Sequence, residues 1–291
     1  MDPNLLGIIG VLIALFFMLI GIPIGIAMLL VGILGSYYLR DWSAIETALN
    51  TIIWSDIYNY VFSTLPLFIL MGELLFTSSI TNDLFNLFRK ILFRVKGGLG
   101  MATVCASAMF AAASGSSIAN TATMGVVASN EMKKSGYHQS LISGSVLAGG
   151  TLGILIPPST IFVIYGILAE QSIGKLLIAG IIPGLILCTL YLITIYIWVK
   201  LRPNLIIEKE VESTEDYSFS YASIFWISFL FVVVVFGMFF GLFSPTEAAA
   251  VGAFLALLIT FIKRQFTWKV FMKSLTNTIR TTGFIFAIML G

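Results

Sequence analysis

The sequence predicts an all-α polytopic membrane protein, and three observations carry that prediction. Hydrophobic residues make up 58% of the 291 and charged residues only 10%, where soluble domains carry about 25% charge. Mean hydropathy is +1.02, so most of the chain needs lipid as its solvent. The few charges fall in clusters that divide the apolar sequence into helix-length runs. A soluble domain, a disordered chain and a disulfide scaffold are excluded. Cys105 and Cys188 sit in apolar stretches without metal-ligand spacing and read as small core residues. With one histidine, His138, a His-based metal site is poorly supplied, and the net charge of +2 calls for no nucleic acid. Met1 to Asn4 has no positive n-region and no Ala-x-Ala site follows, so the start reads as mature membrane sequence.

Leu5 to Leu39 is apolar throughout, broken at Gly21-Ile22-Pro23-Ile24-Gly25. At 1.5 Å per residue it makes about 52 Å of helix against a hydrocarbon core of about 30 Å. It is one long tilted helix or two short passes. Ala44 to Tyr60 is amphipathic, with Ile45, Leu49, Ile52 and Ile53 on one face and Glu46, Asn50 and Asp56 on the other. Trp54, Tyr58 and Tyr60 suit a membrane interface. Pro66 to Phe76 starts a spanning run that contains Glu73. Asn82 to Lys96 then places Leu84, Phe85, Leu87, Phe88, Ile91, Leu92 and Val95 on one face, with Arg89, Lys90, Arg94 and Lys96 off it. This is the pattern of a helix lying in the interface with its cations at the headgroups.

The basic stretches Arg89 to Lys96, Lys133-Lys134, Lys200 to Lys209 and Lys263 to Lys273 go to the cytoplasm by the positive-inside rule. Phe225 to Phe243 and Ala248 to Phe261 are then antiparallel spans joined outside by Ser244-Pro245-Thr246-Glu247. No charge lies between Lys96 and Glu131, and both flanks are basic. The interval makes about 51 Å of helix, too little for two full crossings and a turn. Its middle reads Ser114-Gly115-Ser116-Ser117-Ile118-Ala119-Asn120-Thr121-Ala122-Thr123. A re-entrant hairpin satisfies both facts: two half-length helices meeting at a polar tip near mid-membrane.

Irregular backbone at that depth must line protein or a water-filled cavity. Hydroxyls, an amide oxygen and freed carbonyls are hard ligands that suit a dehydrated alkali cation, and helix N-termini there suit an anion. Gly144 to Tyr165 has basic flanks inside and Glu170 outside, so it crosses once, as a helix broken near Pro157-Pro158. Leu176 to Val199 returns to the cytoplasm. Two broken elements side by side point to a transporter site. Ser114, Ser116, Ser117, Asn120, Gly149, Gly150 and Thr151 are the expected sodium ligands, since the tip holds no ionisable side chain for a proton. Asn120, Thr121, Pro157 and Ser159 are the expected substrate contacts. Small-residue helix packing is the competing reading of the same residues.

The chain resembles the large membrane subunit of tripartite ATP-independent periplasmic (TRAP) transporters, a DctM-like protein. The resemblance rests on Pro66-Leu67-Phe68-Ile69-Leu70-Met71-Gly72-Glu73, the tip from Ser114 to Gly125, Gly136-Tyr137, Gly150 to Ser159, and Ser244 to Gly252. It implies an elevator-type secondary transporter of the bacterial inner membrane built from inverted repeats. It implies sodium-coupled uptake of an organic acid, of the sialic acid or C4-dicarboxylate class, delivered by a periplasmic binding protein. It implies a small four-helix membrane partner subunit, an outside N-terminus and hence two short passes in Leu5 to Leu39. Family members carry a second re-entrant hairpin, so the second repeat is expected to be incomplete here, as in a truncated chain. The expected organisation is 1–96 scaffold-like spans and arm helices, 97–199 transport core, 200–220 cytoplasmic loop and 221–291 the start of the second repeat. No cofactor is expected beyond the coupling ion.

Ser244, Pro245 and Glu247 form a capping box, which makes Glu247 structural. Glu73 is an intramembrane carboxylate and a functional candidate by default. Arg280 snorkels to water from a helix end, and His138 is interfacial. Two other functions compete with transport. An intramembrane serine protease would use Ser114 or Ser116 with His138 as base, but the hairpin puts them far apart. A non-transporting scaffold subunit would bind no ion.

Overall fold

A computed structural model describes residues 3–39, 42–57, 59–76, 80–206 and 221–290. Contacts divide the chain into two compact units, Met1–Phe62 with Thr276–Gly291, and Ser63–Leu275. These boundaries do not coincide with the divisions expected at 96, 199 and 220. Lys209 and most of the 200–220 loop lie outside the described residues, as do Tyr58 and the side chains of Trp54 and Asp56.

In the first unit, α1 (Pro3–Leu19) and α2 (Ile24–Leu39) are separate helices. The chain turns between them at Gly21, whose φ of 95° is open to glycine at little cost. Each is about 25 Å long, so the apolar run is two separate short helices rather than one long helix. α3 (Trp42–Ile57) follows, with Ile45 buried and Glu46 and Asn50 exposed, as its amphipathic pattern predicts.

The second unit holds α4 (Thr64–Phe76), α5 (Ile80–Leu92), α6 (Gly98–Ser114), α7 (Ser117–Lys134), α8 (Gln139–Leu155), α9 (Thr160–Leu168), α10 (Ile173–Ala179), α11 (Ile181–Leu201), α12 (Tyr221–Phe239) and α13 (Pro245–Ile262). α14 (Trp268–Leu290) runs on from it. Among the described residues, 173–201, 222–239 and 245–262 are long and apolar enough to cross a membrane. α8 and α9 form the expected broken helix, bent by 40° at the break. The capping box at α13 is present: Glu247 N donates to Ser244 Oγ at 3.3 Å and Ser244 N to Glu247 Oε2 at 2.8 Å. Arg280 is exposed.

α6 and α7 make the hairpin, but they are not half-length. Their 17 and 18 residues give about 25 and 27 Å. The last turns of α7 carry Glu131, Lys133 and Lys134, which belong at headgroup level, so less of it is available for hydrocarbon. α6, α7 and α8 pack together, flanked by α5 and α11.

α5 departs from the interfacial reading. Ile80, Leu84 and Phe85 are buried at 0–1% exposure against the protein, not against lipid. Arg89, assigned to the polar face, is itself buried and donates from Nη1 to Glu131 Oε2 at 2.7 Å. At the other end of α5, Asp83 pairs with Lys263 at 3.0 Å, and Ser223 donates to Asp83 while accepting from Lys263. Two ion pairs six residues apart on a helix leave from different sides. A single-stripe reading therefore misplaces one of them.

Burial alone would raise the Glu131 carboxyl, but hydrogen bonds from Arg89 and Lys134 outweigh it and hold the group below the ordinary glutamate value. The pair then contributes fully above the ordinary range, and its contribution is lost as pH falls through the depressed folded value. Arg89→Ala should cost on the order of 2 kcal/mol, read as a lower melting temperature of the purified protein in detergent. It should also remove part of the destabilisation that acidification causes in the parent. Lys134→Ala should cost much less, because that ammonium is exposed.

Candidate functional site

Four helix ends meet at one place. α6 ends at Gly115, where φ is 59°, and Gly115 N donates to Ala111 O at 2.9 Å. This left-handed cap suits glycine, and the space demands it too: a Cβ there would lie 2.1 Å from Pro158 O. α7 starts one residue later, with Ser116 Oγ accepting from Ala119 N at 3.3 Å. α8 ends at Leu155 and α9 begins at Thr160, so 156–159, with the Pro157-Pro158 pair, is non-helical. The two breaks are bonded to each other. Thr160 donates to Gly115 O from both its backbone N, at 3.2 Å, and its Oγ1, at 3.1 Å. Ser159 Oγ donates to Ile154 O at 2.6 Å and closes the α8 end.

Below the tip, α8 lies against the hairpin through small residues. A Cβ on Gly149 would meet Ser107 Oγ at 2.4 Å, one on Gly150 would meet Thr121 Oγ1 at 1.8 Å, and one on Gly153 would meet Ser117 N at 2.9 Å. Asn120 sits in this seam, fully buried. Its Nδ2 donates to Ser107 O at 3.0 Å and to Gly149 O at 3.2 Å. Its Oδ1 is buried with no hydrogen-bond partner, as are Ser107 Oγ and Ser114 Oγ. An orphaned amide oxygen in a membrane protein is costly unless something else binds it.

Ser114, Ser116, Ser117, Asn120, Thr121, Gly149 and Gly150 thus come together, with Pro157 and Ser159 at the upper edge. Thr151 does not join them. One residue on from Gly150 is 100° round the helix, and Thr151 is exposed, bonded to Ala148 O at 2.7 Å and Tyr191 OH at 3.0 Å. Glu73 lies on α4, half-buried, next to Gly72, which abuts Ser114 O; its own carbonyl accepts from Ser274 Oγ at 3.3 Å. Reading the sequence for the tip missed Ser107, Thr160 and Gly153. Ser107 was findable: Gly100, Thr103, Ser107 and Ser114 recur at helical spacing on α6 and mark its polar face.

The arrangement offers both signs of partial charge. The ends of α6 and α8 direct carbonyls at the junction, and the starts of α7 and α9 direct N–H groups there. The first pair suits a cation and the second a carboxylate. It offers no nucleophile–base pair. His138 caps α8 beyond the far end of α7, about 27 Å of helix from Ser116, and its Nδ1 is engaged by Ser140 Oγ at 2.7 Å.

Residues 11–291 match the family model described as "Tripartite ATP-independent periplasmic transporter, DctM component". The chain is 31% identical over 293 residues to the sialic acid TRAP transporter large permease protein SiaM of Vibrio cholerae, covering 100% of this chain and 66% of that protein. It is 37% identical over 208 residues to the C4-dicarboxylate TRAP transporter large permease protein DctM of Pseudomonas aeruginosa, covering 71% and 48%. It is 32% identical over 267 residues to the 2,3-diketo-L-gulonate TRAP transporter large permease protein YiaN of Escherichia coli, covering 91% and 62%. The chain therefore spans 48–66% of the length of these relatives. They are named as permease proteins, not enzymes.

The seam makes a packing prediction. Gly150→Ala forces its methyl onto Thr121 and should destabilise by roughly 1–3 kcal/mol, read as a lower melting temperature. Gly125→Ala on α7 is the control. Its Cβ would meet only Val146 Cγ1, at 3.9 Å, so it should leave the melting temperature unchanged or slightly raised.

Proposed function

This chain belongs to the family of the DctM component of tripartite ATP-independent periplasmic transporters, a family of multi-pass membrane permeases, and we propose that it moves an organic acid anion across the bacterial inner membrane in symport with sodium. A small four-helix membrane subunit and a periplasmic binding protein complete the transporter. The hairpin, with α8 and α9, carries the site and moves relative to the scaffold in an elevator motion, within an inverted-repeat architecture.

The observation that carries this reading is the Asn120 amide. Its NH2 is fixed by two backbone carbonyls, which turns Oδ1 into a buried acceptor with nothing to accept from. A partly dehydrated sodium ion needs such oxygens, and the freed carbonyls at the α6 and α8 ends supply more. Ser114 Oγ and Ser107 Oγ are further unspent oxygens of the same seam. The anion faces the N-termini of α7 and α9, near Thr121, Pro157 and Ser159. The substrates in the relatives' names are sialic acid, a C4-dicarboxylate and 2,3-diketo-L-gulonate, which are carboxylates, and isethionate, which is a sulfonate. All are organic acid anions, which favours this class without choosing among its members.

Asn120→Ala in the complete transporter, reconstituted in proteoliposomes, should leave assembly intact. It should raise the sodium concentration for half-maximal uptake or abolish uptake. Asn120→Asp keeps an oxygen ligand and should retain some sodium response. Uptake that persists in sodium-free buffer sinks the coupling. Unchanged sodium dependence in Asn120→Ala makes Asn120 a packing residue.

A further inference from the structure

Three segments distant in sequence converge at the charged base of the hairpin. The turn after α5 reaches α11, where a Cβ on Gly97 would lie 3.1 Å from Val199 Cγ2. Leu99 N donates to Tyr137 OH at 3.3 Å. His138 N donates to Leu205 O at 2.8 Å, and Tyr137 and Ile206 form an antiparallel bridge. These bonds bring Arg94 and Lys96, Lys133, and Lys200 and Arg202 to one end of the unit, and all five are exposed. Glu131 on the same base is already held by Arg89 and Lys134.

Large apolar side chains stand between these cations. Ile91 is 61% exposed and Phe93 66%, just before Arg94, and Leu201, between Lys200 and Arg202, is 75% exposed. Cations alternating with exposed apolar groups suit neither bulk water nor hydrocarbon. They suit the level where phosphate headgroups meet acyl chains. The positive-inside rule puts these same stretches on the cytoplasmic side, where anionic lipids concentrate.

We propose that this base is a binding surface for anionic phospholipid, with the cations on the headgroup phosphate and Phe93 and Leu201 against the acyl chains. A soluble anion would satisfy the cations and leave both apolar side chains in water. The acids of the following stretch, Glu208, Glu210, Glu212, Glu215 and Asp216, are a second source of negative charge, and the test below separates them from lipid. Lipid supplies both halves of the surface at once, and the exposure of the cations beside Phe93 and Leu201 matches the level where phosphates meet acyl chains.

The test uses the full-length protein in neutral detergent with added phosphatidylglycerol or phosphatidylcholine. Bound lipid is counted by native mass spectrometry and stability by melting temperature. Phosphatidylglycerol should be retained and should raise the melting temperature, while phosphatidylcholine should do neither. A variant with Arg94→Gln, Lys96→Gln, Lys200→Gln and Arg202→Gln should lose more than tenfold of the retained lipid, since each cation near an anionic surface is worth roughly fivefold. Its melting temperature in phosphatidylcholine should match the parent's. Phe93→Ser with Leu201→Ser should also lower phosphatidylglycerol retention. Equal retention in the fourfold variant overturns the proposal. So does an equal melting shift from soluble glycerol phosphate, which would make the base a general anion site. A parent that takes up phosphatidylglycerol only after the five acids are neutralised would assign the surface to the chain's own acidic stretch instead, and the proposal fails.

Discussion

A backbone that leaves helical geometry inside a membrane must find its hydrogen bonds within the protein, because lipid offers none. Here two such departures, at 115–116 and 156–159, are placed where each meets the other's need. The carbonyl of Gly115, freed at the end of α6, accepts twice from Thr160, the first residue of α9. Pro158 O lies where a side chain on residue 115 would be. Neither break can be moved along the sequence without orphaning the other. The close approach of α8 to the hairpin follows, and so does the run of glycines that permits it.

The charged residues answer a related constraint at the ends of the helices. α5 is short and only moderately apolar, and its isolated helix would be marginal. It is held by an apolar face on the protein and by ion pairs at Asp83 and Arg89, which reach α13 and α7. Burying Arg89 is tolerable because its charge is matched by a carboxylate with the right geometry. α5 is therefore a bracket of the second unit rather than a float on the bilayer surface.

What the sequence made legible follows from which forces are local. Helix breaks are written in Gly and Pro, so the α8–α9 break and a polar hairpin tip beginning at Ser114 could be read, whereas the Gly/Pro break in Leu5–Leu39 left one helix or two open until the structure separated α1 from α2. The capping box at Ser244 and Glu247 is a four-residue device and was equally plain. The apolar face of α5 was visible, but its partner was not, because protein and lipid reward the same side chains. The Arg89–Glu131 and Asp83–Lys263 pairs join residues 42 and 180 positions apart, and no spacing rule reaches that far. Within the site, composition gathered Thr151 with Gly149 and Gly150. The 100° step of a helix separates them, and only placing α8 against α7 shows which of its faces is turned to the hairpin.

Small polar residues serve packing and ligand binding with the same atoms, which is why the tip is hard to interpret from composition. Gly149, Gly150 and Gly153 are fully accounted for by the closeness of α8 to the hairpin, and Ser116 by its cap. Thr121 Oγ1 and Thr123 Oγ1 bond back to their own helix. Asn120 is different. Its Nδ2 ties α7 to α6 and α8, which is a structural role for the amide nitrogen, but the same link leaves Oδ1 as a buried acceptor that packing does not use. Its nitrogen is anchored by carbonyls from two other helices, and the bond directions that fix the nitrogen also fix where the oxygen points. Packing thus explains the small residues around Asn120 but leaves its Oδ1 unaccounted for, and that unspent acceptor is what the proposed coupling cation would use.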